Sequence, residues 1–262
     1  MRGYRVLVVA GGVLAALLLS ACGGGASEVG VGEPPKHEAA DGGYVTPPEV
    51  TGVQPSGGRV TLSGKAAPGA IVRLATPQGG ATEATADGQG AWRLSVPTTT
   101  QGGLYALSQR SGGRAIQAEG YVLVTPQGEG ALLRAGAGAI RLGPKLPQAG
   151  VTAVDFDRAG AAVVSGRGPP GGAISARLDG KKVGESRIDP QGRFAIALLT
   201  TLEPGTHSIK VFGDSVDASL NLDASPAAPL TGGPIRTTPT GAGLRVDWMT
   251  PGGGVQSSVL AP

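Results

Sequence analysis

SGKAAPG at residues 63–69 returns as SGRGPPG at 165–171, and DGQGAWRL at 87–94 returns as DPQGRFAI at 189–196. Both pairs stand 102 residues apart, and at the same offset Thr98, Thr99 and Gly103 match Thr200, Thr201 and Gly205. Three blocks in register without a gap mark a tandem duplication, so whatever one copy folds into, the chain contains twice. In each copy an alternating run (Val60 and Leu62; Ala162 and Val164) leads to Pro68-Gly69 or Pro170-Gly171. Proline presets φ for a turn there and glycine supplies a positive φ. Val72 and Leu74, or Ile174 and Ala176, alternate next, and Asp87-Gly88 or Asp189-Pro190 turns the chain again. Trp92, Leu94 and Val96, matched by Phe194, Ile196 and Leu198, line one face of the following strand, and residues 104–107 and 207–211 read as one strand more. Beyond the N-terminal region no apolar run keeps a helical period over a dozen residues. Short strands with turn signals at regular spacing predict an all-β chain, each copy a sandwich of about 100 residues.

The pattern SG-x-x-x-PG followed by alternating apolar residues, an acidic turn and G-x-aromatic-x-apolar resembles the bacterial immunoglobulin-like domains of surface and envelope proteins, over 49–118 and 151–222. The resemblance implies two tandem Ig-like β-sandwiches, and its motifs mark turns and core rather than a catalytic site. Two departures from antibody-type domains stand out: no cysteine pair bridges the sheets, and the aromatic residue comes late in the repeat, after the acidic turn. Residues 121–134 (YVLVTPQGEGALLR) and 244–260 (LRVDWMTPGGGVQSSVL) each read as strand, Thr-Pro-x-Gly turn, strand, a β-hairpin added after each repeat.

The N-terminus carries a different message. Arg2 and Arg5 precede an apolar run from Val6 to Leu19, and small residues follow, the arrangement of a secretory signal. The run is 14 residues long, short of the ~20 that span a bilayer as a helix. Leu19-Ser20-Ala21-Cys22 resembles the lipobox of bacterial lipoproteins. That resemblance implies cleavage after Ala21, a diacylglyceryl thioether on Cys22, and acylation of the new amino group. Two or more acyl chains anchor a protein stably where one does not. Gly23 rather than Asp beside Cys22 points to the outer membrane and a periplasmic face. From Gly23 to Thr46 the chain is Gly, Ser, Ala, Glu and Pro with few apolar residues, a flexible tether with an r.m.s. span of roughly 25–30 Å. The expected organisation is a signal peptide (1–21), a lipidated tether (22–48), a first sandwich with its hairpin (49–148), a second sandwich (149–223), and a Pro/Gly-rich linker with a C-terminal hairpin (224–262).

Removing Arg2 and Arg5 with the signal leaves 20 basic residues against 19 acidic ones. A nearly neutral chain supplies no bulk electrostatic reason to expect nucleic acid or an acidic polymer as partner. Cys22 is the single cysteine, which leaves no internal disulfide and no cysteine-built zinc site. Of the two histidines, His37 lies in the tether, and His207 lies in a strand at the position matching Tyr105, so it reads as a satisfied strand residue rather than a general base. No nucleophile-elbow context frames any serine. Asp155 and Asp157 stand two apart as calcium ligands do, but Val154, Phe156 and Arg158 around them suggest a strand with the acids on its solvent face. The glycine-rich stretch 136–139 lacks the strand–loop–helix setting of a phosphate cradle and reads as a plain turn. Aromatic residues make up 3% of the chain, too few for the exposed platforms of single-strand nucleic-acid binders. Trp92 pairs with Phe194 in the repeat and is expected in the core, whereas Trp248 has no counterpart and precedes a tight turn. Trp248 is therefore the candidate partner contact, packing in the core or in its own hairpin being the alternative.

These readings converge on a non-enzymatic envelope lipoprotein with no catalytic residue, metal or cofactor, held to the membrane by its lipid. Its expected partner is another envelope protein, met through loops or an open sheet edge. Two other readings stay open: binding of peptidoglycan or a surface polysaccharide, and service as accessory subunit of an envelope enzyme or export complex.

Overall fold

The structure, a computed structural model, describes residues 45–143 and 146–262. The lipobox with Cys22, and the tether as far as residue 44 with His37, lie outside the described residues. The first copy forms β1 (Glu49–Ser56), β2 (Arg59–Lys65), β3 (Ile71–Ala75), β4 (Ala81–Thr85), β5 (Ala91–Pro97), β6 (Gly103–Ser111) and β7 (Arg114–Val124). It continues into β8 (Gly130–Leu133) and β9 (Ile140–Leu142). The second copy forms β10 (Gly150–Asp157), β11 (Ala162–Arg167), β12 (Ala173–Leu178), β13 (Lys181–Arg187), β14 (Arg193–Ala197), β15 (Thr206–Gly213) and β16 (Val216–Asp223). It is followed by β17 (Ile235–Thr240), β18 (Gly243–Met249) and β19 (Val255–Leu260).

The two copies have one topology. A three-strand unit, β1-β2-β5 or β10-β11-β14, packs on a four-strand unit, β4-β3-β6-β7 or β13-β12-β15-β16, with all pairs antiparallel. Alternation decides what lies between them. Val60 and Leu62, Val72 and Leu74, and Trp92, Leu94 and Val96 turn inward in the first sandwich. Val164, Ile174, Ala176, Phe194 and Ile196 do so in the second.

The repeated motifs have physical causes. Gly64 and Gly166 lie opposite Trp92 and Phe194 across the strand pair. A Cβ on Gly64 would stand 1.8 Å from the Glu49 carbonyl oxygen and 2.8 Å from the Trp92 ring; on Gly166 it would stand 2.2 Å from the Gly150 carbonyl oxygen and 2.3 Å from the Phe194 ring. The SG dipeptide is thus the seat on which the late aromatic lies. The acidic turn is set by one carboxylate oxygen. Asp87 Oδ1 accepts from the amides of Gln89 (2.9 Å) and Ala91 (2.8 Å), and Asp189 Oδ1 accepts from those of Gln191 (2.9 Å) and Arg193 (2.8 Å). These bonds hold both carboxyl groups below the usual aspartate range. A β-bulge falls in β1 between Val50 and Gly52 and in β10 between Val151 and Ala153.

The added strands change the architecture. Strands β8 and β9 extend the first sandwich beyond β7, and β19-β18-β17 extend the second beyond β10, giving two six-stranded sheets. Within 224–262 the expected hairpin is present as β18–β19, and its strands join the second sandwich. They complete one of its sheets, β19 pairing with β10 from Ala153↔Leu260 to Asp157↔Gln256. Thr-Pro-x-Gly turns close three hairpins, at 76–79, 125–128 and 250–253, each with the threonine amide donating across the turn, to Gly80, Glu129 and Gly254.

Candidate functional site

The two extended sheets bury their outer faces in a third core. Leu104 and Leu123 (β6, β7) and Ala131 and Leu133 (β8) come from the first sandwich, and Ala153 (β10), Val246 and Trp248 (β18) and Leu260 (β19) from the second. Strand β7 shows the double burial residue by residue: Val122 and Val124 enter the first sandwich core, while Leu123 enters the third. The described chain is thus four sheets deep, with a seam in the middle.

Trp248 is the largest fully buried side chain, at 0% exposure. The expectation of an exposed contact is corrected here: its ring meets Tyr121 at 6.2 Å between centroids, and its Nε1 donates to Ser258 Oγ at 3.1 Å. The tight turn before which it sits is exposed, but β18 is an inner strand covered on this face by the opposite sandwich.

Asp155 also departs from expectation. It faces the seam rather than solvent, with 1% exposure. Its Oδ2 accepts from the Ala139 amide at 2.7 Å, and its Oδ1 accepts from Ser258 Oγ and from Gln256 Nε2 (3.4 Å). Burial pushes its pKa up to about 6 against the pull of these hydrogen bonds. Because Ala139 belongs to the β8–β9 loop, the carboxylate pins one sandwich to the other. Asp157 does a separate job, its Oδ1 accepting from the amides of Ala159 (2.9 Å) and Ala161 (3.0 Å) in the turn after β10. Among the described residues no three His, Cys, Asp or Glu side chains gather into a metal-binding group. His207 holds the turn after β12 to the start of β15, with Nδ1 2.7 Å from Asp179 Oδ2 and Nε2 2.7 Å from the Glu203 carbonyl oxygen. Both partners are acceptors, so they favour the doubly protonated ring and raise its pKa, the Asp179 bond most.

Beside the seam, the β8–β9 segment and the β11–β14 edge of the second sandwich enclose a cleft of about 330 Å³. Arg134, Arg141, Arg167, Arg187 and Arg193 line it. Arg134 donates from Nε to the Gly138 carbonyl oxygen (2.9 Å), closing its own loop. Burial lowers its pKa, with Glu119 raising it and the neighbouring charge of Arg193 lowering it again. Arg141, whose side chain is 8% exposed, reaches the Ala261 carbonyl oxygen across the seam and Glu129 at 3.2 Å. Arg193 holds Asp189 at 3.1 Å. A second groove of about 570 Å³ adjoins, sharing Arg134, Arg141, Arg167 and Arg193 and running on to Thr46–Thr51.

Neither a protein-family model nor a curated protein sequence matches the chain. Among solved structures it is similar to the BSP domain of a biofilm-associated protein, at 17% identity and TM-score 0.24, over 71% of this chain and 30% of that one. It is also similar to a Ca2+-stabilised adhesin with which an Antarctic bacterium binds ice, at 16% identity and TM-score 0.23, over 80% of this chain and 59% of that one. A third similarity is to the central fibronectin-III array of RIM-binding protein, at 13% identity and TM-score 0.25, over 82% and 89% of the two chains. The chain thus spans less than two thirds of the first two.

The arginine cleft is absent from the sequence reading, because a balanced total hides a local excess. Its signal lay in the difference between the copies. At the repeat offset Arg187 and Arg193 stand where the first copy has Thr85 and Ala91. Arg134 and Arg141 belong to a segment outside the matched blocks.

Proposed function

We propose that the chain is a non-enzymatic lipoprotein of the bacterial cell envelope, anchored through lipid on Cys22 to the outer membrane and facing the periplasm. Residues 23–48 act as its tether, and the two sandwiches act as one structural or adaptor body that holds a contact surface away from the membrane. The third core carries this reading. Two sandwiches on a free linker would reorient independently, whereas burial of Trp248, Leu123, Leu133 and Leu260 between them makes a single body with fixed faces. Its polar groups serve the same end, since Asp155 and Arg141 each bond across from one sandwich to the other.

Two experiments test the reading. Cys22→Ser in the full chain moves the protein from the membrane to the soluble fraction if the lipid is the anchor; persistence in the membrane fraction overturns that part. In-cell crosslinking of the lipoprotein, with mass spectrometry of what is captured, returns one dominant envelope protein if it is an adaptor. Capture of wall or polysaccharide fragments without a consistent protein replaces the adaptor by a glycan binder.

A further inference from the structure

Arg167 and Arg193 are register partners on β11 and β14. Cross-strand partners place their Cβ atoms about 4.5–5.5 Å apart on one face of a sheet, and like charges so placed destabilise it. The first copy does not carry this pair: Lys65 faces Ala91 there and donates to the Gln89 carbonyl oxygen at 3.2 Å. In the second copy Asp189 neutralises Arg193, and in the strands added to the first Glu129 neutralises Arg141. Among the described residues the Arg167 side chain has no hydrogen-bond or ion-pair partner, and the Arg187 side chain meets only the Gly171 carbonyl oxygen, at 3.2 Å. Two buried hydrogen-bonding atoms also lack partners here: Oγ of Ser165, a residue 4% exposed that lines the cleft, and Nε of Arg141. Buried polar atoms are nearly always paired, so two unpartnered donors beside an unneutralised guanidinium point to a ligand rich in acceptors.

We propose that this cleft binds an anionic oligomer, one that presents two or more carboxylate or phosphate groups, with Arg167 and Arg193 as the central grip. A guanidinium fork matches both acid groups in bidentate geometry. An anion bridging the two guanidinium groups over this sheet face meets both at once. The adjoining groove shares the same arginines and gives the ligand length, so several linked units fit better than one ion. Arg134 and Arg187 flank the grip, and the acids on Arg193 and Arg141 limit binding to ligands that outcompete them. The inference does not depend on the lipid anchor.

The test is calorimetric titration of the full-length protein in detergent micelles with tripolyphosphate, with trigalacturonate and with neutral maltotriose. Saturable binding of either anion, weakening with added salt and absent for maltotriose, is expected. The acid that binds names the chemistry: phosphate, carboxylate or both. Arg167→Gln should weaken binding about tenfold or more. Without ligand it should leave Tm unchanged or slightly higher, because Asp189 already offsets Arg193, whereas an arginine kept only for packing would lower Tm. Arg114→Gln, on the distant β6–β7 hairpin, should bind as the parent does. No saturable binding of either anion, undiminished binding by Arg167→Gln, or equal weakening by Arg114→Gln overturns the proposal.

Discussion

Trp248→Ala is the sharpest perturbation of the seam. A fully buried aromatic cut to alanine costs about 3–5 kcal/mol through lost transfer energy and the cavity left behind. The Nε1 bond to Ser258 contributes about 1 kcal/mol more. Ser258 keeps its bond to Asp155, so no buried hydroxyl is orphaned and the total stays at about 4–6 kcal/mol. For a body of this size each kcal/mol moves Tm by about 2–4 °C, so a fall of roughly 10–20 °C is expected in scanning calorimetry of the full chain. Because Trp248 lies between the sandwiches rather than within either core, the single transition should also split, the two sandwiches then melting at separate temperatures. A loss under about 1 kcal/mol with one unsplit transition would refute the assignment, since that is the behaviour of an exposed aromatic.

Three further outcomes follow from the same geometry. Asp155 has a folded pKa of about 6 against an ordinary aspartate value of 3.8, so the folded state binds the proton more tightly and its contribution to stability grows as pH falls from about 6 towards 3.8. The shift corresponds to about 3 kcal/mol, and the difference between the parent and Asp155→Asn in urea melts at several pH values should show that slope; equal pH profiles would contradict it. His207 has a raised folded pKa, so its bonds to Asp179 and Glu203 stabilise fully below about 6.5 and fade as pH rises through the raised value. His207→Gln should remove that alkaline loss, and an unchanged profile would count against the clamp. Gly166→Ala forces a methyl against the Gly150 carbonyl and the Phe194 ring, and should cost about 1–3 kcal/mol or more in denaturant unfolding, whereas a neutral result would show that the aromatic seat has room.

The repeat made most of the sandwich legible before any coordinate. Proline, glycine and aspartate announce turns through their own backbones, and strands half exposed to water alternate visibly, as Trp92, Leu94 and Val96 do. The seam was harder to see, because a strand buried on both faces loses its alternation. Residues 121–124 (YVLV) and 151–156 (VTAVDF) are such runs, and the second hides an aspartate that sequence pattern alone assigns to solvent. Trp248 misled for the same reason. Its local neighbours describe a hairpin, and what covers it comes from Leu123, Leu133 and Tyr121, more than 100 residues earlier. The arginine cleft is the extreme case: its five charges come from four strands and a loop edge, and only the fold sums them.

The pairing of β10 with β19 also bears on the order of events as the chain emerges. The sheet that β10 begins cannot close until residues 255–260 arrive, about a hundred positions later. Long closures of this kind slow folding, because the chain must lose its freedom before the contacts reward it. Until then the Asp155 carboxylate lacks Ser258 and Gln256, and the apolar faces of β7 and β8 lack their cover. The first sandwich can assemble its own core early, yet half of its six-stranded sheet stays unclad until the far end comes home. A polypeptide threaded across a membrane would reach its destination still pliable, and acquire its stiffness there.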